Sequence, residues 1–77
     1  MDIYTMKDWE RDGSLSVKEG QLVEESIIEE LADCVPPQTY SAGTFQVGEP
    51  YDHCNGVPRY QTFKRRENGW EYVGLRP

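Results

Sequence analysis

The side chains able to do chemistry gather in one stretch, Glu49-Pro50-Tyr51-Asp52-His53-Cys54. Glutamate, aspartate, histidine and cysteine all ligate transition metals, and a histidine beside a cysteine suggests a thiol nucleophile with its base. Both readings meet an objection. His53 is the only histidine of the chain, and no Cys-x-x-Cys or His-x-x-x-His spacing completes a tetrahedron. Adjacent side chains on an extended segment point to opposite faces, so Cys54 and His53 would not meet. The preferred reading is a surface loop, Gly48–Val57, in which Pro50 and Gly56 set the backbone. Glu49, Tyr51, Asp52 and His53 are then candidates for touching a peptide or ligand. No metal, cofactor or catalytic residue is expected.

Two charge clusters come next. Lys64-Arg65-Arg66, near Tyr60 and Trp70, has the outline of a base-stacking platform with basic flanks. The preferred reading is a hairpin end kept soluble and guarded against edge pairing. Glu25, Glu29, Glu30 and Asp33 form an acidic helix face. Glu25/Glu29 and Glu29/Asp33 are like-charge neighbours at i,i+4, and the last acids crowd the negative end of the helix dipole. Local helix stability does not account for them. Solubility, pairing with the basic trio, and an acidic surface offered to a basic partner remain as explanations.

The element that carries those acids is Leu22–Val35 (LVEESIIEELADCV). At helical spacing Val23, Ile27, Ile28, Leu31, Cys34 and Val35 share one side, opposite Glu25, Glu29, Glu30 and Asp33. Glu24 projects into the apolar arc and Leu22 out of it. The regular helix is therefore expected near Glu24, and Pro36-Pro37 must end it. A competing start at Val17 uses Ser16 and Glu19 as a capping box. Ahead of it, one helical turn is expected around Thr5–Arg11, anchored by Trp9, then a turn at Asp12-Gly13 and a short strand Ser14–Val17 before a Gly20 turn. Beyond it, strands are expected at Thr44–Val47, Arg59–Arg65 and Trp70–Leu75, with Asn68-Gly69 as a tight hairpin turn. Tyr60 and Phe63 have opposite parity, so both face the helix only if a bulge intervenes. Trp70 and Tyr72 share a side.

Composition bounds the rest. The chain has 77 residues, 36% hydrophobic and 29% charged, which implies a single domain with a thin core, 12% of residues being aromatic. Net charge is −6, with ten acids and three bases in residues 1–38 against four acids and five bases in residues 39–77. That balance argues against direct nucleic-acid binding, which needs clustered Lys and Arg. No stretch has the length and apolarity of a membrane span or signal sequence, so cytoplasmic residence is expected, with Cys34 and Cys54 as free thiols and Cys34 a small buried hydrophobe.

The run Leu31–Pro37, Phe45-Gln46-Val47-Gly48-Glu49-Pro50-Tyr51-Asp52-His53, Tyr60-Gln61-Thr62-Phe63 and Tyr72-Val73-Gly74-Leu75 resembles small uncharacterised proteins of gut Firmicutes and their mobile elements. The resemblance carries no catalytic motif and implies a bacterial, cytoplasmic, accessory role. The expectation is an α+β domain, one amphipathic helix on an antiparallel sheet of three to four strands ending in a β-meander. Its expected function is a non-enzymatic protein-interaction or accessory module with a protein partner, acting as a monomer or weak homodimer. The alternative is an acidic inhibitor that mimics nucleic acid in a basic site on another protein.

Overall fold

The computed structural model describes residues 2–34 and 43–77, with only the backbone of Cys34. The helix stop at Pro36-Pro37, Val35 and the burial of Cys34 therefore lie outside the described residues.

The chain opens with strand β1 (Ile3–Tyr4) and helix α1 (Met6–Asp12). Thr5 caps α1: its hydroxyl accepts from the Asp8 amide, and the Asp8 carboxylate accepts from the Thr5 amide at 2.9 Å. This reciprocal box satisfies donors that a seven-residue helix would otherwise leave free. Gly13, at φ +74°, closes the far end, its amide donating to the Trp9 carbonyl. The Tyr4 hydroxyl then pins the exit, donating to Asp12 Oδ2 at 2.8 Å.

Ser14–Val17 is not a strand. Leu15 and Val17 do pack partly against the core, as their alternation requires. The backbone finds other partners: the Ser16 amide reaches the Tyr4 hydroxyl, and the Gln21 amide turns back to the Lys18 carbonyl. Gly20 turns at φ +89°, and no helix begins at Val17.

Strand β2 (Leu22–Val23) follows and runs parallel to β1. A parallel pair needs a crossover, and α1 with its exit loop supplies it. Helix α2 (Glu25–Leu31) continues into a 3-10 turn, Ala32–Cys34. Glu24 stands just ahead of α2 and explains its misfit in the apolar arc. Its Oε1 accepts from the Met6 amide at 3.0 Å and from the Ser26 hydroxyl at 2.6 Å, while the Glu24 amide donates to the Tyr4 carbonyl. One carboxylate thus ties the starts of both helices together.

Strands β3 (Thr44–Gln46), β4 (Asp52–Cys54), β5 (Val57–Arg66) and β6 (Gly69–Arg76) complete a six-strand sheet in the order β1-β2-β6-β5-β3, with β4 also on β5. The expected sheet of three to four antiparallel strands is therefore too small, and it is mixed rather than antiparallel. Two-residue strands such as β1 and β2 carry no periodicity, so nothing in their composition announced them. A bulge is present, but on β6: Thr62 faces Gly74 and Phe63 faces Tyr72, leaving Val73 unopposed. Tyr60 and Phe63 therefore keep opposite parity along β5, and Phe63 alone of the two is wholly buried.

The core follows the register. Val23 lies opposite Trp70, Phe63 opposite Tyr72 and Phe45 opposite Phe63, so these side chains share one face. Ile27 and Ile28 of α2 press onto that face, and Val23, Ile27, Phe45, Phe63 and Trp70 are wholly buried. Leu31, expected to be buried with them, is only partly so, because the helix ends there.

Both Asn-Gly pairs are corrected. The two-residue loop of the β5–β6 hairpin is Glu67-Asn68, since Arg66 pairs with Gly69, and Asn68 has a negative φ. The loop Gly48–Val57 is more regular than its composition suggested. It contains β4 and a hairpin whose two loop residues, Asn55 and Gly56, have φ +53° and +81°. Those are the left-handed positions that a primed turn demands.

Candidate functional site

The chemistry-bearing stretch is held by the pairing of β4 with β5 and braced by one ion pair. Arg59 on β5 grips Asp52 on β4 with two parallel bonds, Nε to Oδ1 at 2.8 Å and Nη2 to Oδ2 at 2.6 Å. This fork-to-fork contact holds the Asp52 carboxyl below its ordinary range, mainly through the hydrogen bonds from Arg59. The Tyr51 amide extends the pairing by donating to the Arg59 carbonyl at 2.7 Å. Asp52 is thereby committed to the fold. Glu49, Tyr51 and His53 are exposed, Tyr51 retaining 64% of its surface. His53 and Cys54 are successive residues of a strand and so face opposite ways. Among the described residues no three His, Cys, Asp or Glu side chains converge on a common point. The stretch is a braced hairpin, and its four candidates do not form one constellation.

The acidic helix face divides in two. Glu25 pairs with Arg65 Nη2 at 3.0 Å, and the same guanidinium lies 4.6 Å from the centre of the Trp70 ring. Arg66 pairs with Glu71 at 2.7 Å. The basic trio is thus partly consumed inside the molecule: Arg65 lies over the indole as a cation on a π face and links sheet to helix. Pairing with the trio accounts for Glu25 alone. Glu29, Glu30 and Asp33 are exposed, and their carboxylates meet no hydrogen-bond or ion-pair partner among the described residues. Asp33 lies in the 3-10 turn rather than in α2, so it is not a helical i,i+4 neighbour of Glu29.

Beside Glu30 lies a groove that sequence spacing could have found. Met6, Trp9 and Glu10 recur at i, i+3 and i+4, which puts them on one stripe of α1, and Gly13 closes its end. Across from them stands Glu30 of α2, and together they line a groove of about 290 Å³. Met6 and Trp9 pack partly on the core and remain partly open, while Glu10 and Glu30 are exposed. Other acids of α1 are spent: Asp8 and Asp12 both contact Arg11, at 3.2 and 3.1 Å. Their carboxyls are held low, Asp8 chiefly by the Thr5 amide and Asp12 chiefly by the Tyr4 hydroxyl.

The two helix starts thus set Glu30, one of the three unpaired carboxylates, in the lining of an open groove with Met6 and Trp9. None of the described helices is long and apolar enough to cross a membrane. Comparison of the chain with protein-family models, curated proteins and solved structures gives no match to any of them.

Proposed function

We propose that this chain is a non-enzymatic protein-interaction module whose partner-facing surface is the acidic patch of α2 and its following turn, Glu29, Glu30 and Asp33. One observation carries the reading: these carboxylates cluster within five positions, exposed and unpaired among the described residues. Glu25, Glu24, Asp8, Asp12, Asp52 and Glu71 have partners within the fold, and the other unpaired acids, Asp2, Glu10, Glu19, Glu49 and Glu67, are scattered singly along the chain. Like charges side by side do not stabilise a helix, so a cluster left unneutralised is free to meet a positive surface. The partner is a protein with a basic face. With a net charge of −6, direct binding to nucleic acid is disfavoured. A bacterial, cytoplasmic, accessory setting belongs to the same proposal.

Affinity capture from a bacterial lysate tests it, with the natural chain and a Glu29→Lys/Asp33→Lys variant as paired baits. A protein retained by the first and lost from the second supports the reading. Identical sets of captured proteins from both baits would remove the acidic face from any role in recognition. A captured protein whose basic site normally holds nucleic acid would favour the mimic reading instead.

A further inference from the structure

We infer that the groove between α1 and α2 receives a large apolar side chain from a cationic peptide segment of the partner. This rests on the acidic-face reading above and adds to it a second, apolar contact. A volume of about 290 Å³ is room for on the order of ten waters, the scale of one large side chain rather than of a whole docked helix.

The lining suits an anchor. Trp9 offers a broad rigid surface of the kind that dominates binding energy, and Met6 is unbranched and adapts to irregular shapes. Gly13 leaves one end without a side chain, and an added Cβ there would meet nothing within 4 Å. Charge selects the occupant. Glu10 and Glu30 flank the groove, and Glu29 and Asp33 flank Glu30 along the chain. The nearest arginine, Arg11, is already shared between Asp8 and Asp12. Lys7 is then the one cation of α1 outside an ion pair among the described residues, against the two carboxylates, Glu10 and Glu30, that line the groove. A second copy of this chain would bring acid to acid, and an anionic lipid surface would be repelled. A segment that sets an apolar residue among lysines or arginines satisfies both the lining and the rim.

The test uses the whole chain, labelled for NMR at backbone amides, methionine methyls and tryptophan indoles, titrated with a synthetic lysine-rich peptide carrying a single leucine. The Met6 methyl and Trp9 indole signals should move together, while those of buried Trp70 stay. Replacing the leucine by alanine in the peptide should weaken binding about tenfold. Glu10→Lys/Glu30→Lys, which reverses the charge at the groove while keeping Met6 and Trp9, should weaken it by about the same factor. The inference is overturned if the alanine peptide binds as tightly while Met6 and Trp9 stay still. Shifts confined to the amides of Glu29 and Asp33 would give that result and leave the acidic-face reading standing. Shifts of Met6 and Trp9 on raising protein concentration without peptide would name a second copy as the occupant and equally overturn it.

Discussion

The two ends of β5 carry the same dipeptide in its flanking hairpins, and they use it differently. At the solvent end, Asn55-Gly56 forms the loop between Cys54 and Val57, and both residues need positive φ. A Cβ added to Gly56 would meet open space, so its glycine is there for backbone conformation alone. At the core end, Asn68-Gly69 is not the loop. Gly69 is the first residue of β6, and a Cβ there would stand 2.6 Å from the Val23 carbonyl oxygen. That glycine lets β2 come close enough to bury Val23 against Trp70. Both glycines hold positive φ, Gly69 at +147°, but close strand approach is an added demand at Gly69 alone of the two.

The largest expected effect lies in what the core end is fastened to. Ile28 is 1% exposed on α2, against the face that holds Trp70 and Phe63. Ile28→Ala should cost about 2–5 kcal/mol in denaturant titration, the usual range for emptying such a site. A loss under about 0.5 kcal/mol would mean that α2 does not seal this face.

A direct contrast between the glycines comes next. Gly69→Ala should cost about 2–3 kcal/mol, because carbonyl and Cβ must separate and β2 must shift with them. Gly56→Ala should cost roughly 1–2 kcal/mol, from backbone strain alone, and loosen only the β4–β5 hairpin. Equal losses in the two variants, measured by chemical denaturation, would break the comparison.

Acid should also separate the two ends. Asp52 has a folded pKa lowered by the Arg59 hydrogen bonds. A lowered carboxyl contributes its stability above the unfolded value of about 3.9, and that contribution disappears as pH falls through the folded value. The hydrogen bond from the Tyr51 amide to Arg59 should then open early on acidification, seen as faster amide exchange. Exchange at the Tyr72 amide, which donates to the Gln21 carbonyl at 2.9 Å, should persist to lower pH. Asp52→Asn should abolish the early step and leave the later one. Simultaneous loss at both amides in the natural chain would contradict this ordering.

The same contrast explains what could be read from the residues in advance. The side chains of α2, the long strands β5 and β6 and the shared side of Trp70 and Tyr72 all follow from periodicity that short-range sterics impose. The hairpin at Asn55-Gly56 was hidden because Pro50, Asp52 and Gly48 around it look like irregular loop, and the pairing of β4 depends on Arg59, seven residues on from Asp52. The strands β1 and β2 were hidden because two residues have no pattern, and their pairing is decided by β6, far along the chain. The candidate site was half legible. Its acids stood out by spacing, but their separation into paired Glu25 and unpaired Glu29, Glu30 and Asp33 depends on where Arg65 falls across the sheet. Met6 and Trp9 carried a helical spacing, yet only Glu24, binding the Met6 amide, sets them beside α2.

The smallest expected effect on the fold carries the largest weight for function. Glu29→Lys/Asp33→Lys removes no internal ion pair, since Arg65 is held by Glu25 instead, so the melting midpoint should stay or rise. The central claim is that these carboxylates serve a partner, and its most direct test is the affinity for the captured partner measured against ionic strength. For the natural chain the affinity should fall steeply with added salt, as screened long-range attraction does. For the variant it should be weaker at low salt and nearly flat. Equal affinity and equal salt dependence in the two proteins would contradict the account.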